Sequence, residues 1–365
     1  MEILDALPYA RKKRKQETPL KALVFSRPGG LDQIKCVDLD ADIPGPNQVR
    51  VRMTSVGLNR ADLLYPAGRY FFGPEYHPPY GYCRLGFEGA GIVEACGTGS
   101  RWQPGDRVGV LPLRFDVSRE GLLAQSCVLP DEVLVPTPPS VSDEEAGGIW
   151  MAWLTAWGGL SVAGQLQPEQ SVVITAASSS VGVAAIQTAR ALQARPLAVT
   201  TSEDKVKPLL DLGAAAVFVM PPHSDEHSGE NGERYQHWIR QQTASKGSDL
   251  VFDAVAGPGI RELIRGSARR GRVVLQGLLD RRPMDVHAGV MMKRLLTLQG
   301  YTVDSITEEP ESLAQGLSFI RRGFADGDLR PVTAARFPLT QYREAFAFLE
   351  SNQHIGKIIV NPHAA

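Results

Sequence analysis

The order of apolar and polar residues changes once along the chain, at about Ser142. From Leu20 to about Pro139, short segments such as QVRVRMTSVGL alternate apolar and polar residues between turns rich in glycine and proline. This alternation predicts β-strands that bury one face. We therefore expect a β-rich, barrel-like region in the first part of the chain.

After Ser142 the pattern predicts helices that alternate with fully buried strands. The segment SDEEAGGIWMAWLTAWGGL begins with a serine suited to a helix N-cap, continues with acidic residues and becomes largely apolar, which predicts a helix. The strands that follow are nearly continuous apolar runs, typical of a parallel sheet covered by helices on both faces. These runs are SVVITAA, PLAVTTS, AAVFVM, DLVFDAV, GRVVLQGL and LLTLQGY.

The segments between and after these strands complete the predicted order of elements. We expect the last helix and the strand GKIIV to rejoin the first region, because the parallel sheet already has its full set of strands. The predicted helices are 181–193, 204–212, 259–268 and 341–351, and a polar loop is predicted at 221–234.

Size and charge exclude several classes of protein. The 365 residues allow two domains with separate cores. Lys plus Arg number 39 against 40 Asp plus Glu, so no excess charge attracts nucleic acid or an anionic membrane. No apolar run is long enough to span a bilayer. The cysteines lack C-x-x-C spacing, which favours the cytoplasm over a disulfide framework; they are Cys36, Cys83, Cys96 and Cys127.

The basic run Arg11–Lys15 has two interpretations. It is either a targeting or nucleic-acid patch or a solvated tail, and the tail is favoured because nothing downstream is basic. We therefore expect residues 1–19 to form a flexible basic tail.

The segment VVITAASSSVGVAAIQTARAL predicts a strand, a tight turn and a helix. Dinucleotide-binding turns of this kind usually carry G-x-G-x-x-G, whereas here Gly182 is the only glycine. A pyrophosphate at a helix N-terminus needs small side chains around it, and Ser178, Ser179 and Ser180 are small. The alternative is a helix whose serines cap only its own first turn.

The end of the second strand, AVTTSEDK, bears on which dinucleotide binds. NAD enzymes usually place an acidic residue there, and NADP enzymes place polar and basic groups. Thr201, Ser202 and Lys205 favour NADPH. Glu203 and Asp204 suit the first turn of a helix capped by Ser202.

Taken together, these segments resemble the medium-chain dehydrogenase/reductase superfamily. The resemblance is strongest to its zinc-independent branch, the quinone oxidoreductases and enoyl-thioester reductases, and it extends from about Lys21 to Val360. It is carried by GLNRADLLYPAGRY, RLGFEGAGIVEACG, WQPGDRV, WMAWLTAWGGL, VVITAASSSVGVAAIQ, LQGY and GKIIV. The resemblance implies an α/β fold with a GroES-like β-rich catalytic domain at 20–143 and 309–365 and a Rossmann doubly wound domain at 144–308.

The resemblance also implies that no metal is bound. Zinc-dependent relatives use a cysteine after the VG strand and a histidine in G-H-E, where this chain has Leu58-Asn59 and Gly86-Phe87-Glu88. Phe87 cannot ligate a metal, and zinc needs three or four protein ligands. His77 and Cys83 are possible substitutes for the missing zinc ligands, but the favoured interpretation is that they only fill space in a surface loop or in the core.

The implied reaction is reduction of an activated C=C bond or a quinone by hydride from NADPH. The resemblance assigns Tyr70 as proton donor, Asn59 to position the nicotinamide or the substrate carbonyl, and Asp62 to order the loop. Tyr70 is alternatively only a contact in a lid, and Tyr65 is a rival donor. Phe71 and Phe72 are expected to make the mouth apolar, and the loop 71–85 and the helix 286–296 to shape the pocket.

Cofactor contacts also follow from the resemblance. Lys357 either contacts the cofactor or only ends a strand. The expected cofactor-binding residues are Asn59, Thr155, Ser178, Ser179, Ser180, Val181, Thr201, Ser202, Lys205, Gly257, Gly277, Leu278 and Lys357.

Two function hypotheses from different classes follow. The first is the NADPH-dependent reductase acting on a small-molecule substrate such as an enone, a quinone or an acyl thioester. The second is an NADPH-binding protein with a structural or regulatory role and little turnover. We expect no nucleic-acid or membrane partner, and a homodimer formed through edge strands such as LLTLQGYTV.

Overall fold

The computed structural model of this chain describes residues 19–70, 81–220 and 228–364. The expected basic tail, apart from residue 19, lies outside the described residues. So do Phe71, Phe72, His77 and most of the loop 71–85.

The described residues form sixteen strands and eleven α-helices. The strands are β1 Leu20–Phe25, β2 Lys35–Leu39, β3 Gln48–Gly57, β4 Cys83–Arg84, β5 Gly89–Cys96, β6 Arg107–Val110, β7 Ser126–Pro130, β8 Leu134–Pro136, β9 Ser171–Ile174, β10 Arg195–Thr200, β11 Ala216–Val219, β12 Ser248–Asp253, β13 Ser267–Leu275, β14 Thr297–Gly300, β15 Thr333–Pro338 and β16 Lys357–Asn361. The helices are α1 Arg60–Leu64, α2 Val117–Glu120, α3 Trp150–Trp157, α4 Ser180–Ala191, α5 Val206–Asp211, α6 Ser228–Gln242, α7 Ile260–Gly266, α8 Ala288–Arg294, α9 Asp304–Thr307, α10 Pro310–Asp326 and α11 Tyr342–Glu350.

The first region is built from two sheets. A seven-stranded sheet has the order β15-β16-β3-β5-β6-β8, with β7 also paired to β3, and a three-stranded sheet has the order β2-β1-β4. Along β3, Val49, Val51 and Met53 are buried and their neighbours are partly exposed, as the alternating pattern predicts. The strand GKIIV, as β16, pairs antiparallel with β3. The boundaries of the two domains stay a prediction.

The second region contains a six-stranded parallel sheet. Its order is β11-β10-β9-β12-β13-β14, which is the doubly wound arrangement with the first strand at its centre. All four residues of β9 are buried, because helices cover both faces of the sheet. The predicted fold class, a β-rich domain plus a Rossmann doubly wound sheet, is confirmed.

The two longest helices are absent from the sequence prediction. The predicted polar loop 221–234 is wrong at 228–234, where α6 begins. The polar start of α6 lies mostly on its exposed face, and the large side chains buried among its described residues are Tyr235 and Ile239, so no apolar period marks its first turns. The other is α10, which the prediction omits, although Ile320 and Phe324 recur at helical spacing on its buried face.

The helix predicted from Ser142 begins later than expected. The chain forms turns and a short 3₁₀ helix at Ala146–Gly148, and α3 begins at Trp150. A Cβ atom at Gly147 would lie 2.0 Å from the carbonyl oxygen of Ser55, so this glycine lets the segment pack directly on β3. Among the helices in the described ranges, none combines the length and the apolar character needed to cross a bilayer.

Candidate active site

A single cleft follows the carboxyl ends of the parallel strands and continues to α1. Its volume is about 1590 Å³, above the roughly 300–1,000 Å³ of sites for drug-sized ligands. This edge is where doubly wound sheets bind ligands. Of the predicted site residues, the cleft is lined by Asn59, Tyr70, Thr155, Ser178, Ser179, Ser180, Val181, Thr201, Lys205, Gly277 and Leu278.

Four predicted site residues do not line this cleft. Asp62 is fully buried below it. The hydroxyl of Ser202 donates to Asp204. A Cβ atom at Gly257 would meet the Asp280 side chain. Lys357 points into a buried cluster.

The turn before α4 combines both interpretations of its serines. The hydroxyl of Ser179 accepts a hydrogen bond from the N–H of Gly182 at 3.0 Å and so caps its own helix. The N–H groups of Ser180 and Val181 in the first helical turn have no partner within the helix. A Cβ atom at Gly182 would lie 2.6 Å from the carbonyl oxygens of Ala176 and Ala177, so only glycine fits there. Ser179 forms a parallel bridge with Gly356 that engages the N–H of Ser180, so the turn offers the N–H group of Val181 to an anion.

Lys205 folds back from the end of β10 onto this turn. Its ammonium donates to the Ser178 hydroxyl at 3.1 Å and to the Asn352 carbonyl at 2.5 Å, and its side chain is buried. Burial lowers the pKa of Lys205, and the charge of Asp204 opposes this. Glu203 and Asp204 are exposed in the first turn after β10, as their helix-start role predicts. A positive charge thus stands beside the turn.

The buried cluster around Glu88 joins three distant segments. The Lys357 ammonium forms an ion pair with the Glu88 carboxylate, and the two side chains are only 6% and 1% exposed. Lys357 also donates to Asn59 Oδ1 at 2.7 Å. Glu88 Oε2 accepts the backbone N–H of Met151, the first-turn region of α3, at 3.1 Å. The cluster connects β16, the residue before β5 and α3 beneath the mouth of the cleft.

Asn59 uses its whole amide within this cluster. Its Nδ2 donates to the Gly57 carbonyl at 3.1 Å and to Glu88 Oε1 at 3.0 Å, while its oxygen accepts from Lys357. Its backbone N–H donates to Asp62 Oδ2 at 2.8 Å. Because both amide hydrogens are engaged, Asn59 cannot donate to a ligand without breaking an internal bond. Its geometry fits a positioning role.

Tyr70, not Tyr65, lines the cleft. Tyr65 is buried among aromatic rings, 5.0 Å from Phe25 and 5.8 Å from Phe87 between ring centroids. The Tyr70 ring lies 5.1 Å from Phe87. Burial, together with the nearby charges of Asp62 and Asp304, raises the pKa of Tyr70 to about 12, so the phenol keeps its proton at neutral pH.

Asp62 is a buried carboxyl close to these groups. Burial raises its pKa to about 7, although the N–H of Asn59 and the charge of Lys357 act in the opposite direction. Thr155 lies on α3, where its hydroxyl donates to the Met151 carbonyl at 2.6 Å. Asp62 therefore shapes the loop from inside, and the hydroxyl proton of Thr155 is already donated within its own helix.

The positions where zinc-dependent relatives have ligands hold other side chains here. Phe87 is buried against Tyr70, and the carboxylate of Glu88 is occupied by Lys357, Asn59 and the Met151 N–H. Within residues 19–70, 81–220 and 228–364, no three His, Cys, Asp or Glu side chains are grouped so that they could hold a metal.

Four residues of this region were not singled out from the sequence as site residues. Arg60 donates to Asn352 Oδ1 at 2.5 Å, and Asn352 accepts from Lys205 through its carbonyl. His354 lines the cleft two residues later. Glu88 lies within the landmark RLGFEGAG, and Asn352 and His354 shortly precede GKIIV, so these landmarks are the signal that could have identified them.

Comparisons with known proteins give two family matches. The alcohol dehydrogenase GroES-like domain matches residues 45–139, and the zinc-binding dehydrogenase family matches residues 229–360. Together these ranges cover more than half of the chain.

Two curated relatives are similar over most of this chain. One is a mycocerosic acid synthase-like polyketide synthase of Mycolicibacterium smegmatis, 29% identical over 347 residues, which are 93% of this chain and 15% of that protein. The chain thus spans a small part of this relative. The other is the quinone oxidoreductase-like protein 2 homolog of Nematostella vectensis, 26% identical over 87% of this chain and 82% of that protein.

Two solved structures have a fold similar to that of this chain over nearly its whole length. Escherichia coli quinone oxidoreductase complexed with NADPH has a TM-score of 0.80 at 22% identity, covering 94% of this chain and 100% of that one. CurK enoyl reductase has a TM-score of 0.76 at 26% identity, covering 94% and 99%. With the family matches and the shared fold on both halves, the chain belongs to the medium-chain dehydrogenase/reductase superfamily.

Proposed function

We propose that this chain is an NADPH-dependent oxidoreductase that reduces an activated C=C bond of an enone or enoyl thioester, or a quinone, without a metal ion. One observation carries the proposal. A single cleft joins the N–H groups at the start of α4 and the ammonium of Lys205 to a mouth lined by the protonated phenol of Tyr70.

The residues around the turn fit a dinucleotide. Val181 offers an N–H group without a partner in the helix to the pyrophosphate, and Gly182 lets the backbone approach closely. Lys205 favours the additional phosphate of NADPH over NADH. Gly277 and Leu278 line the groove farther along. When bound, NADPH supplies the hydride. The NADPH complex of the quinone oxidoreductase with the same fold supports this choice of cofactor.

Tyr70 supplies the proton in this proposal. Hydride addition to the β-carbon of an unsaturated carbonyl creates an enolate, which hydrogen-bond donors stabilise. The raised pKa keeps the phenol of Tyr70 protonated, so it can donate to the enolate and recover a proton from solvent. Asn59 and Asp62 act as positioning residues. They fix the start of α1, and Tyr70 follows shortly after the end of this helix. Lys357 acts through Asn59.

A metal-free site follows from the side chains present. Zinc requires nitrogen, sulfur or carboxylate ligands in a tetrahedral set. Phe87 has no such atom, Leu58 stands where a cysteine would, and both oxygens of Glu88 already accept hydrogen bonds. Catalysis then depends on the hydrogen-bond donors of the protein and on the cofactor.

Assembly and location are part of the proposal. β14 is an edge strand of the parallel sheet, and the adjoining Met292 and Leu295 are 71% and 47% exposed, which favours pairing with the β14 of a second copy. The four cysteines are unpaired, as expected in the reducing cytoplasm. An enoyl thioester substrate draws support from the polyketide synthase and enoyl reductase relatives.

A binding assay followed by a turnover assay tests the proposal. The purified chain is expected to change NADPH fluorescence and to bind NADPH more tightly than NADH. It is then offered enones, enoyl thioesters and quinones, while NADPH consumption is followed and metal content is measured. One zinc per chain contradicts the metal-free site. NADPH binding without turnover of any of the three classes favours the alternative, a structural or regulatory NADPH-binding protein.

A further inference from the structure

Three basic side chains meet beside the turn before α4 without a carboxylate partner. The Lys205 ammonium donates to the Ser178 hydroxyl at 3.1 Å and to the Asn352 carbonyl at 2.5 Å. The Arg60 guanidinium donates to the Asn352 side-chain oxygen at 2.5 Å. His354 lines the same cleft. Over the described part of the chain, neither Lys205 nor Arg60 forms an ion pair with a carboxylate.

The nearest acidic groups do not balance this positive charge. Glu350 raises the pKa of Arg60 and Asp204 that of Lys205, yet burial outweighs both and lowers the pKa of each cation. Glu350 and Asp204 are exposed to solvent. Basic groups that lose hydration together repel one another, so an anion bound between them gains more than it would at the surface.

We propose that Arg60, Lys205 and His354 together bind one phosphate group of the dinucleotide, and that His354 takes up a proton when this phosphate binds. The inference rests on the proposed function, because NADPH is its ligand. Phosphate fits the site because the N–H group of Val181, which has no partner in the helix, lies at the same turn. Arg60 comes from α1 and His354 from the segment before β16, so the phosphate joins three parts of the chain.

The protonation step follows from the surroundings of the imidazole. His354 is 9% exposed, its ring packs against Phe348, and its Nδ1 is buried without a hydrogen-bond partner. Burial and the charges of Lys205, Arg60 and Lys357 lower its pKa to about 4, while the Phe348 carbonyl has the opposite effect. The free protein therefore holds a neutral imidazole.

A bound phosphate reverses the sign of the charge near this ring. A negative group close to an imidazole favours its protonated form. One proton moves from the buffer to the His354 ring, and the imidazolium charge then offsets one negative charge of the phosphate. The bond between this hydrogen and the buffer acid breaks, the N–H bond of the ring forms, and the buffer is left as its conjugate base. The phosphate is either the 2′-phosphate of NADPH or one of its pyrophosphate groups, and the ligands of the experiment distinguish them.

Calorimetric titration of the full chain with NADPH tests the proposal. Repeating it near pH 7 in buffers of different ionisation enthalpy gives the number of protons taken up on binding. The 2′-phosphate titrates near pH 6, so the relevant quantity is the difference between the wild type and His354→Asn. We expect the variant to take up fewer protons, by up to about one. The control His363→Asn changes an exposed histidine that contacts the Gln125 carbonyl, and it is expected to match the wild type.

Titration with NADH identifies the phosphate. A difference between wild type and His354→Asn that disappears with NADH assigns the 2′-phosphate. One that persists assigns the pyrophosphate, and Lys205 then does not select NADPH over NADH. Both outcomes support binding of a phosphate by the three basic side chains. Equal proton uptake by the two proteins with NADPH overturns it while the proposed function stands. Failure of the wild type to bind NADPH refutes the proposed function, and the inference with it.

Two further measurements keep the test decisive if His354→Asn does not fold. Arg60→Met is expected to raise the dissociation constant of NADPH about tenfold or more, because a charge-assisted hydrogen bond to phosphate is lost. In the wild type that constant is expected to rise with pH, by up to about tenfold per unit where one proton is taken up. A dissociation constant that Arg60→Met and pH both leave unchanged overturns the proposal.

Discussion

Removing one partner of the buried pair Lys357–Glu88 is expected to destabilise the chain severely. The two side chains are 6% and 1% exposed, so Lys357→Met leaves the Glu88 carboxylate buried without its counter-charge. The remaining partners of Glu88 are the amide of Asn59 and the N–H of Met151. Breaking a buried pair of this kind costs about 3–5 kcal/mol. We expect a loss of that size in the free energy of unfolding.

Two further variants define what the pair contributes. Glu88→Gln leaves the Lys357 ammonium buried, and its amide cannot accept from Lys357, Asn59 and the Met151 N–H together, because it has only one acceptor oxygen. In the double variant Glu88→Leu with Lys357→Met, no charge is buried, so part of the loss is recovered. The recovery is incomplete, since Asn59 and the Met151 N–H still lose their partner.

Urea unfolding followed by circular dichroism measures these losses. The matched control is Lys207→Met, which removes an exposed ion pair with Asp211 at 2.7 Å and is expected to cost about 0.5 kcal/mol or less. If Lys357→Met unfolds within about 1 kcal/mol of the wild type with an unchanged slope, the pair does not hold this site together.

Three other predictions concern the proposed reaction, the cofactor and the pH dependence of stability. Tyr70→Phe is expected to lower turnover of enones and enoyl thioesters by about 10²-fold or more, and turnover of quinones less, because solvent can protonate the quinone product. The control is Tyr65→Phe, which lies outside the cleft lining. Unchanged enone turnover by Tyr70→Phe contradicts the donor role. Lys205→Met is expected to reduce the preference for NADPH over NADH about tenfold, because a charge-assisted contact is lost. Lys207→Met is its control. An equal preference for NADPH in the wild type and both variants argues against a role of Lys205 in cofactor choice. The pKa of Asp62, raised to about 7, means that the folded state binds more protons than the unfolded state between about pH 4 and 7, so stability falls as pH rises through this window. Asp62→Asn is expected to become more stable relative to the wild type from about pH 5 to pH 8, measured by urea unfolding, and a constant difference would show that the carboxyl is not perturbed.

Local patterns predicted the parallel sheet and its turn. Short apolar runs rich in β-branched residues, such as SVVITAA, indicated buried strands, and small residues after β9 indicated a close backbone approach. The sequence did not predict the polar first turns of α6 as a helix, because a helix with few buried residues lacks an apolar period. By contrast, the sequence of α10 does carry an apolar period, since its buried residues recur at helical spacing.

The candidate site was only partly predictable, because its decisive contacts are long-range. Lys357 meets Asn59 across 298 residues and Glu88 across 269, and no local pattern encodes such pairings. Lys357 was therefore assigned to the cofactor, whereas its ammonium points to Glu88. The same holds for Arg60 and Asn352, which are 292 residues apart. Residue types indicated the chemistry, and only the tertiary structure shows which partners are already taken.

The position of the segment 352–361 gives the molecule an order of assembly. This segment adds β16 beside β3, inserts Lys357 under α1, and binds the Ser178 carbonyl through the N–H of Gly356 at 2.9 Å. During synthesis the parallel sheet can form before these residues leave the ribosome, since domains fold as units from the N-terminal side. The two halves of the site are joined only afterwards. A ribosome-bound chain stopped at residue 350 would hold every strand of the parallel sheet and still lack a finished site.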